Sequence, residues 1–154
     1  MQQPSTFDDV LTALRRLATT PLDAATAPPK GIYTLPEITA YEMERIFATE
    51  WLCAGRADEV PNPGDYMAFE CGNQPLIIIR GMDGSISARS NICRHRMMRL
   101  VEGCGNARKF TCPYHAWTYN LDGQLVGAAY MDRTSCFNKS NIQLPAVRCE
   151  EYLG

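Results

Sequence analysis

The chain contains only two histidines, and each follows closely on a cysteine: Cys93-Arg94-His95 and Cys112-Pro113-Tyr114-His115. Sixteen residues lie between His95 and Cys112. Each frame brings one soft thiolate and one imidazole, so the residue types favour two loops closing on one metal centre. Two arrangements satisfy that donor set. A pair of irons bridged by sulfide would take both cysteines on one metal and both histidines on the other. A single zinc would take all four as a closed site. The commoner zinc frames put two cysteines in one knuckle and two histidines in the other, which is not the order here. Either way no histidine remains for general-base work or for a second metal.

The two-iron arrangement has a definite electronic consequence. Thiolates hold the inner iron in both oxidation states, while neutral imidazoles on the outer iron raise the reduction potential. Two histidines in place of two cysteines bring it to roughly −150 to +300 mV, against about −400 mV for an all-cysteine plant-type cluster. On this reading Cys93 and Cys112 hold the inner iron and His95 and His115 the outer. The remaining ring nitrogens then face solvent or a partner.

Elements able to position two such loops follow from the patterning. Phe7, Val10, Leu11, Leu14 and Leu17 fall at helical spacing, with Thr6 and Asp9 as a capping pair, and predict a helix to about Ala18. Residues 19–31 hold three prolines and read as a linker. Thr39-Ala40-Tyr41-Glu42 has capping-box form and predicts a second helix, with Met43, Ile46 and Phe47 buried, to about Trp51. From Pro61 short strands take over: 64–71, 75–80, 85–92, 108–111 and 117–119, separated by turns such as Met82-Asp83-Gly84. Both metal frames therefore fall at strand ends or between strands. The expected organisation is a helix and linker (1–31), a helical lead-in (32–60) and a mainly β domain of small antiparallel sheets (61–154). The last residues, 150–154, look like the start of a further strand.

Length and composition bound the rest. One domain of 154 residues buries about 68–70% of its unfolded surface. A net charge of −2 gives no overall bias toward nucleic acid. Arg94, Arg96 and Arg99 nevertheless cluster in the first frame, as a solvated patch or as a docking face for an acidic redox partner. Met1-Gln2-Gln3-Pro4 is no basic leader, and Leu76-Ile77-Ile78-Ile79 is far too short to span a bilayer. The expectation is a cytoplasmic chain that meets neither membrane nor nucleic acid. Seven cysteines, an odd number, then argue for reduced thiols over a disulfide framework. Cys104 reads as a loop thiol, and Cys53, Cys71, Cys136 and Cys149 as small apolar residues.

Cys-X-His, a spacing of sixteen, then Cys-X-X-His, extended here as Cys93-Arg94-His95-Arg96 and Cys112-Pro113-Tyr114-His115-Ala116-Trp117-Thr118-Tyr119, closely resembles the N-terminal Rieske [2Fe–2S] domain of ring-hydroxylating oxygenase α-subunits. Ile46-Phe47 with Trp51, Gly64-Asp65-Tyr66, Ser90-Asn91-Ile92, 121–125 and 137–147 also fit, so the resemblance runs from about Tyr33 to the end. Rieske proteins of cytochrome complexes carry an extra cysteine in each loop, forming a disulfide. Here Pro113 follows Cys112, and the first loop continues Arg96-Met97-Met98. Free-standing Rieske ferredoxins share the motif but lack the long helical lead-in. Two positions depart from the family's habit: Met97 where glycine is frequent, and Ala129 where proline is.

The resemblance implies a Rieske-type fold with two cluster-binding loops, and electron transfer through a [2Fe–2S] cluster held by Cys93, His95, Cys112 and His115. Arg96, Pro113, Tyr114 and Trp117 lie next to those ligands: Trp117 is expected to pack beneath the second loop and fix its imidazole, Pro113 to shape it, Tyr114 to cover the cluster. It implies a reductase or ferredoxin as electron donor and a neighbouring α-subunit in a homotrimer, with β-subunits in some members of the family. A mononuclear iron for oxygen chemistry belongs to a C-terminal domain that this chain lacks, so the chain reads as part of an oxygenase, truncated, with no catalytic residue of its own. Histidine ligation makes a testable demand. The reduced cluster holds protons on its imidazoles more tightly than the oxidised one, so reduction takes up protons between the two sets of pKa values. The potential should therefore fall as pH rises through that window, and a potential flat into the alkaline range would contradict two histidine ligands.

Overall fold

A computed structural model describes residues 6–131 and 133–153. Met1–Pro4, read above as no leader, and Gly154 lie outside the described residues. The chain forms two compact units, 1–52 and 53–154.

The first unit is helical. Helix α1 (Phe7–Ala18) starts where the spacing places it: extended Thr6 accepts a hydrogen bond from the Asp9 amide at 3.3 Å. Asp8 and Asp9 at its start and Arg15 and Arg16 at its end complement the helix dipole. Val10 is its buried residue, and Phe7 meets Tyr41 edge-on with ring centroids 5.5 Å apart. Two short helices follow, α2 (Gly31–Thr34) and α3 (Pro36–Glu42).

The expected second helix is thus displaced. Proline at the first helical position, where no N–H is needed, starts α3 ahead of Thr39, which lies inside the helix rather than capping it. At Met43–Phe47 the helix widens to a π-turn, and Trp51 lies beyond any helix. A π-turn takes more residues than 3.6, so the apolar stripe loses its phase. Ile46 and Phe47, expected to be buried, are 44% and 40% exposed, whereas Ile38 is buried.

The second unit is antiparallel β. Strands β1 (Asp65–Cys71), β2 (Gln74–Arg80) and β3 (Ile86–Ser90) form a meander, joined at its edges by β4 (Cys104–Asn106) and β8 (Ala146–Val147) in the order β4-β1-β2-β3-β8. Strands β5 (Lys109–Thr111), β6 (Thr118–Asn120) and β7 (Leu125–Gly127) form a smaller sheet. The mainly β expectation holds, while β4, β7 and β8 were not foreseen. Cys104, expected in a loop, lies on β4, and residues 150–153 form no strand.

The run Leu76 to Ile79 is buried throughout, as a strand covered on both faces must be. Ile77 and Ile79 join Phe110, Tyr119, Leu121, Leu125 and Leu144 in one core, and Cys93, Cys112 and Trp117 belong to the same cluster. The apolar core therefore reaches both metal frames. Within the second unit, Arg80 ties residues 57–60 to the meander, donating to the Val60 and Ala57 carbonyls at 2.8 and 3.1 Å and to Gly84 at 2.9 Å. Cys53 and Cys136 are exposed and Cys71 and Cys149 half-buried. None of the described helices is long and apolar enough to cross a membrane.

Gly64 opens β1 with φ +90, and a Cβ there would stand 2.8 Å from the Ala107 carbonyl oxygen. Backbone, not a flexible side chain, is in the way. Gly64→Ala should cost about 1–3 kcal/mol. This would be read as a lower Tm, and an unchanged Tm would show that the turn relaxes freely.

Candidate metal centre

Both frames sit in loops built to one plan. In the first, the Met97 amide returns to the Cys93 carbonyl at 3.1 Å, and the Cys93 amide donates to the Met98 carbonyl at 2.8 Å. In the second, the Ala116 amide returns to the Cys112 carbonyl at 3.0 Å, and the Cys112 amide donates to the Trp117 carbonyl at 2.8 Å. The plan requires a left-handed residue four places after each cysteine. Met97 and Ala116 both adopt φ 56, so methionine takes up the conformation that glycine would accept without strain. The second loop is closed by the β5–β6 pair Thr111↔Thr118, the first by a bridge between Ile92 and Arg99.

Asn91 holds the first loop at its root. It is 1% exposed, donates its amide to the Val101 carbonyl at 2.8 Å, and accepts from the Leu100 and Val101 amides at 3.2 and 3.0 Å. The side chain thus supplies both donor and acceptor to the backbone that leaves the loop, adding to the Leu100 amide's bond to the Asn91 carbonyl at 3.0 Å.

These loops bring all four predicted ligands together in two pairs. Cys93 and Cys112, 0% and 3% exposed, interact with each other at the buried end. The His95 and His115 rings stand edge-to-face with centroids 4.8 Å apart nearer the surface. Among the described residues, no three His, Cys, Asp or Glu side chains converge as one ion would require. The Nδ1 atoms of both imidazoles are buried and have no hydrogen-bond partner. Buried polar atoms in native proteins are almost always satisfied, so two orphaned imidazole nitrogens beside two buried thiols fit a metal cluster that the protein holds with both pairs.

The electrostatics agree with a donor set kept ready for metal. Burial pushes the His95 pKa down, helped by the charges of His115 and Arg96, which favours the neutral ring. Burial pushes the Cys93 thiol up, against the opposing hydrogen bond from Tyr119. A thiol so placed gives up its proton when a cation supplies the compensating charge.

The flanking residues divide between cover and support. Tyr114 is 57% exposed and tilts over His115 with centroids 3.8 Å apart. Pro113 and Arg96 are exposed, and so are Arg94 and Arg99, the latter ion-paired with Glu70. Trp117 differs from expectation. It is 4% exposed and stacks on His95, the imidazole of the other loop, at 4.7 Å and 8°. A residue that sequence reasoning gave no role is Tyr119: its hydroxyl accepts from the Arg94 amide at 3.0 Å and lies 3.3 Å from Cys93 Sγ. An amide can only donate, so the phenolic proton is free for the sulfur. The signal was available, because Trp117 and Tyr119 are two apart at a strand start and share a face.

Comparison with known proteins agrees with this geometry. Residues 50–138 match the Rieske [2Fe-2S] domain family. The chain is 39% identical over 133 residues to the carnitine monooxygenase oxygenase subunit of Acinetobacter baumannii, covering 86% of this chain and 36% of that protein. It is 39% identical over 125 residues to the benzene 1,2-dioxygenase subunit alpha of Pseudomonas putida, covering 80% and 28%. Among solved structures, the apo quaternary ammonium Rieske monooxygenase CntA superposes with a TM-score of 0.78 at 39% identity, over 84% of this chain and 38% of that one. Naphthalene 1,2-dioxygenase from Rhodococcus sp. superposes with a TM-score of 0.79 at 31% identity, over 92% and 32%. The chain thus spans about a third of the length of these relatives. On the fold, the paired cysteines and histidines and the family match together, the chain belongs to the Rieske [2Fe-2S] domain family.

Proposed function

We propose that Cys93 and Cys112 hold the inner iron of the [2Fe–2S] cluster, and that His95 and His115 hold the outer iron through Nδ1. The observation that carries this reading is the pair of buried, partnerless Nδ1 atoms on the same two loops that carry a pair of buried thiols. When bound, such a cluster accepts and releases one electron at a time. The protein's part is to keep the donors dry and fixed. Asn91 and the two loop closures set the backbone, Tyr119 donates a hydrogen bond to Cys93, and Pro113, Tyr114 and Arg96 flank the outer pair. With Nδ1 toward the metal, Nε2 of each imidazole is left for a partner outside the chain.

The wider reading is an electron-transfer domain of an oxygenase α-subunit. It would take electrons from an NAD(P)H-dependent reductase, directly or through a ferredoxin. It would deliver them to a mononuclear iron in the catalytic domain of a neighbouring α-subunit, in a trimer. There, O2 would be used to hydroxylate an aromatic ring or oxidise a small amine. Support comes from the relatives, whose names specify carnitine and benzene oxygenation. With both histidines of this chain taken up by the cluster, neither is left for a mononuclear iron.

Metal and sulfide analysis tests the ligand assignment. The purified chain should be brown-red and hold two irons and two acid-labile sulfides. When reduced, it should give a rhombic EPR signal with average g below the free-electron value. Cys93→Ser or His115→Ala should abolish that signal. Colourless protein with one zinc and no sulfide would reject the assignment in favour of a structural zinc module. Tyr119→Phe removes one hydrogen bond to a ligand sulfur, an interaction stronger when the cluster carries its extra electron. A difference of about 1 kcal/mol between the two oxidation states corresponds to about 40 mV for a one-electron couple. The variant should therefore have a lower potential by that order, measured by redox titration. An unchanged potential would show that the phenolic proton does not reach the sulfur.

A further inference from the structure

The two loops share a backbone plan, but they do not protect their histidines alike. Five places after Cys93 stands Met98, which is 42% exposed. Five places after Cys112 stands Trp117, which is 4% exposed and crosses to the first loop to lie flat on His95. Phe137 meets the indole edge-on at 5.5 Å, so Trp117 is itself held by a second aromatic ring. On His115 the aromatic cover is Tyr114, which is itself 57% exposed. Parallel stacking at this separation restricts rotation of the imidazole about its Cβ–Cγ bond and excludes water from its face. The phenol of Tyr114 lies nearer its imidazole, at 3.8 Å, but is tilted by 31° and open to solvent, so it shields that ring from water less.

We propose that Trp117 is a positioning residue acting across the loops: it locks His95 as the anchored ligand of the outer iron and leaves His115 as the mobile one. The inference rests on the ligand assignment above and adds an asymmetry that the family motif does not specify. Its consequence is mechanical. Motion of the domain against a partner would be transmitted to the outer iron through His115, and ligand loss under chelator attack would begin there. His95 keeps its bond because its ring cannot turn away.

Pulsed EPR of the reduced, cluster-loaded chain resolves the couplings of the two ligand nitrogens, and chelator challenge gives the rate of cluster loss. Trp117→Leu removes the stack, and it should broaden and shift one nitrogen coupling while sparing the other. It should also speed cluster loss by roughly three- to tenfold, the range a stacking contact would produce. Trp117→Phe restores an aromatic face, so it should return both readings to near wild type. Tyr114→Leu should alter the other nitrogen coupling. Should Trp117→Leu not fold, Phe137→Leu, which removes only the backing ring, should broaden the same single coupling to a smaller extent. Two results would overturn the proposal: equal effects of the Trp117 or Phe137 variants on both nitrogens, or Trp117→Phe behaving like Trp117→Leu. Wild-type protein with no iron–sulfur signal would instead overturn the ligand assignment itself, so the two failures are distinguishable.

Discussion

Two cysteines are built into the hydrophobic core, and the rest of the site follows from where they are fixed. Cys93 and Cys112 belong to the same buried cluster as Ile77, Ile79, Phe110 and Leu125, drawn from both sheets of the second unit. Each carbonyl receives the amide that closes its own loop. A cysteine held at both backbone and side chain leaves its loop little freedom, so the histidine that follows is directed outward along one path. The sheets serve to bring two such roots together; the loops convert that into a dry inner pair and a shallower outer pair.

The same burial that fixes the donors sets their chemistry. Low solvation disfavours an imidazolium at His95 and a free thiolate at Cys93. The neutral imidazole is already the ligating form, whereas the thiol needs a cation to displace its proton. Binding of metal and loss of the thiol proton are therefore linked. Tyr119 belongs to this balance: it steadies the Arg94 backbone with one lone pair and keeps its proton for the sulfur.

Much of this was legible in the sequence because the informative residues are rare. Two histidines and matching cysteine frames leave few ways to build a site, and the Leu76–Ile79 run and the Asp83-Gly84 turn mark the meander. What could not be read has identifiable causes. Strands of two or three residues, such as Cys104–Asn106 and Ala146–Val147, are too short to show alternation and exist because a neighbouring strand offers a free edge. The π-turn at Met43–Phe47 breaks the 3.6-residue period that the burial forecast assumed. The partner of Trp117 was misjudged because sequence proximity ties it to His115, while the side chain's direction off the start of β6 carries it to His95.

The closures of the two loops are counted from their cysteines, with the left-handed residue at the same offset in each, while the histidine comes two places after one cysteine and three after the other. The scaffold of each loop is therefore indifferent to which interior rung carries the imidazole. That independence lets a near-repeat present unlike faces: its twofold likeness ends at the main chain, and the side chains are free to make one half a fixed jaw and the other a spring.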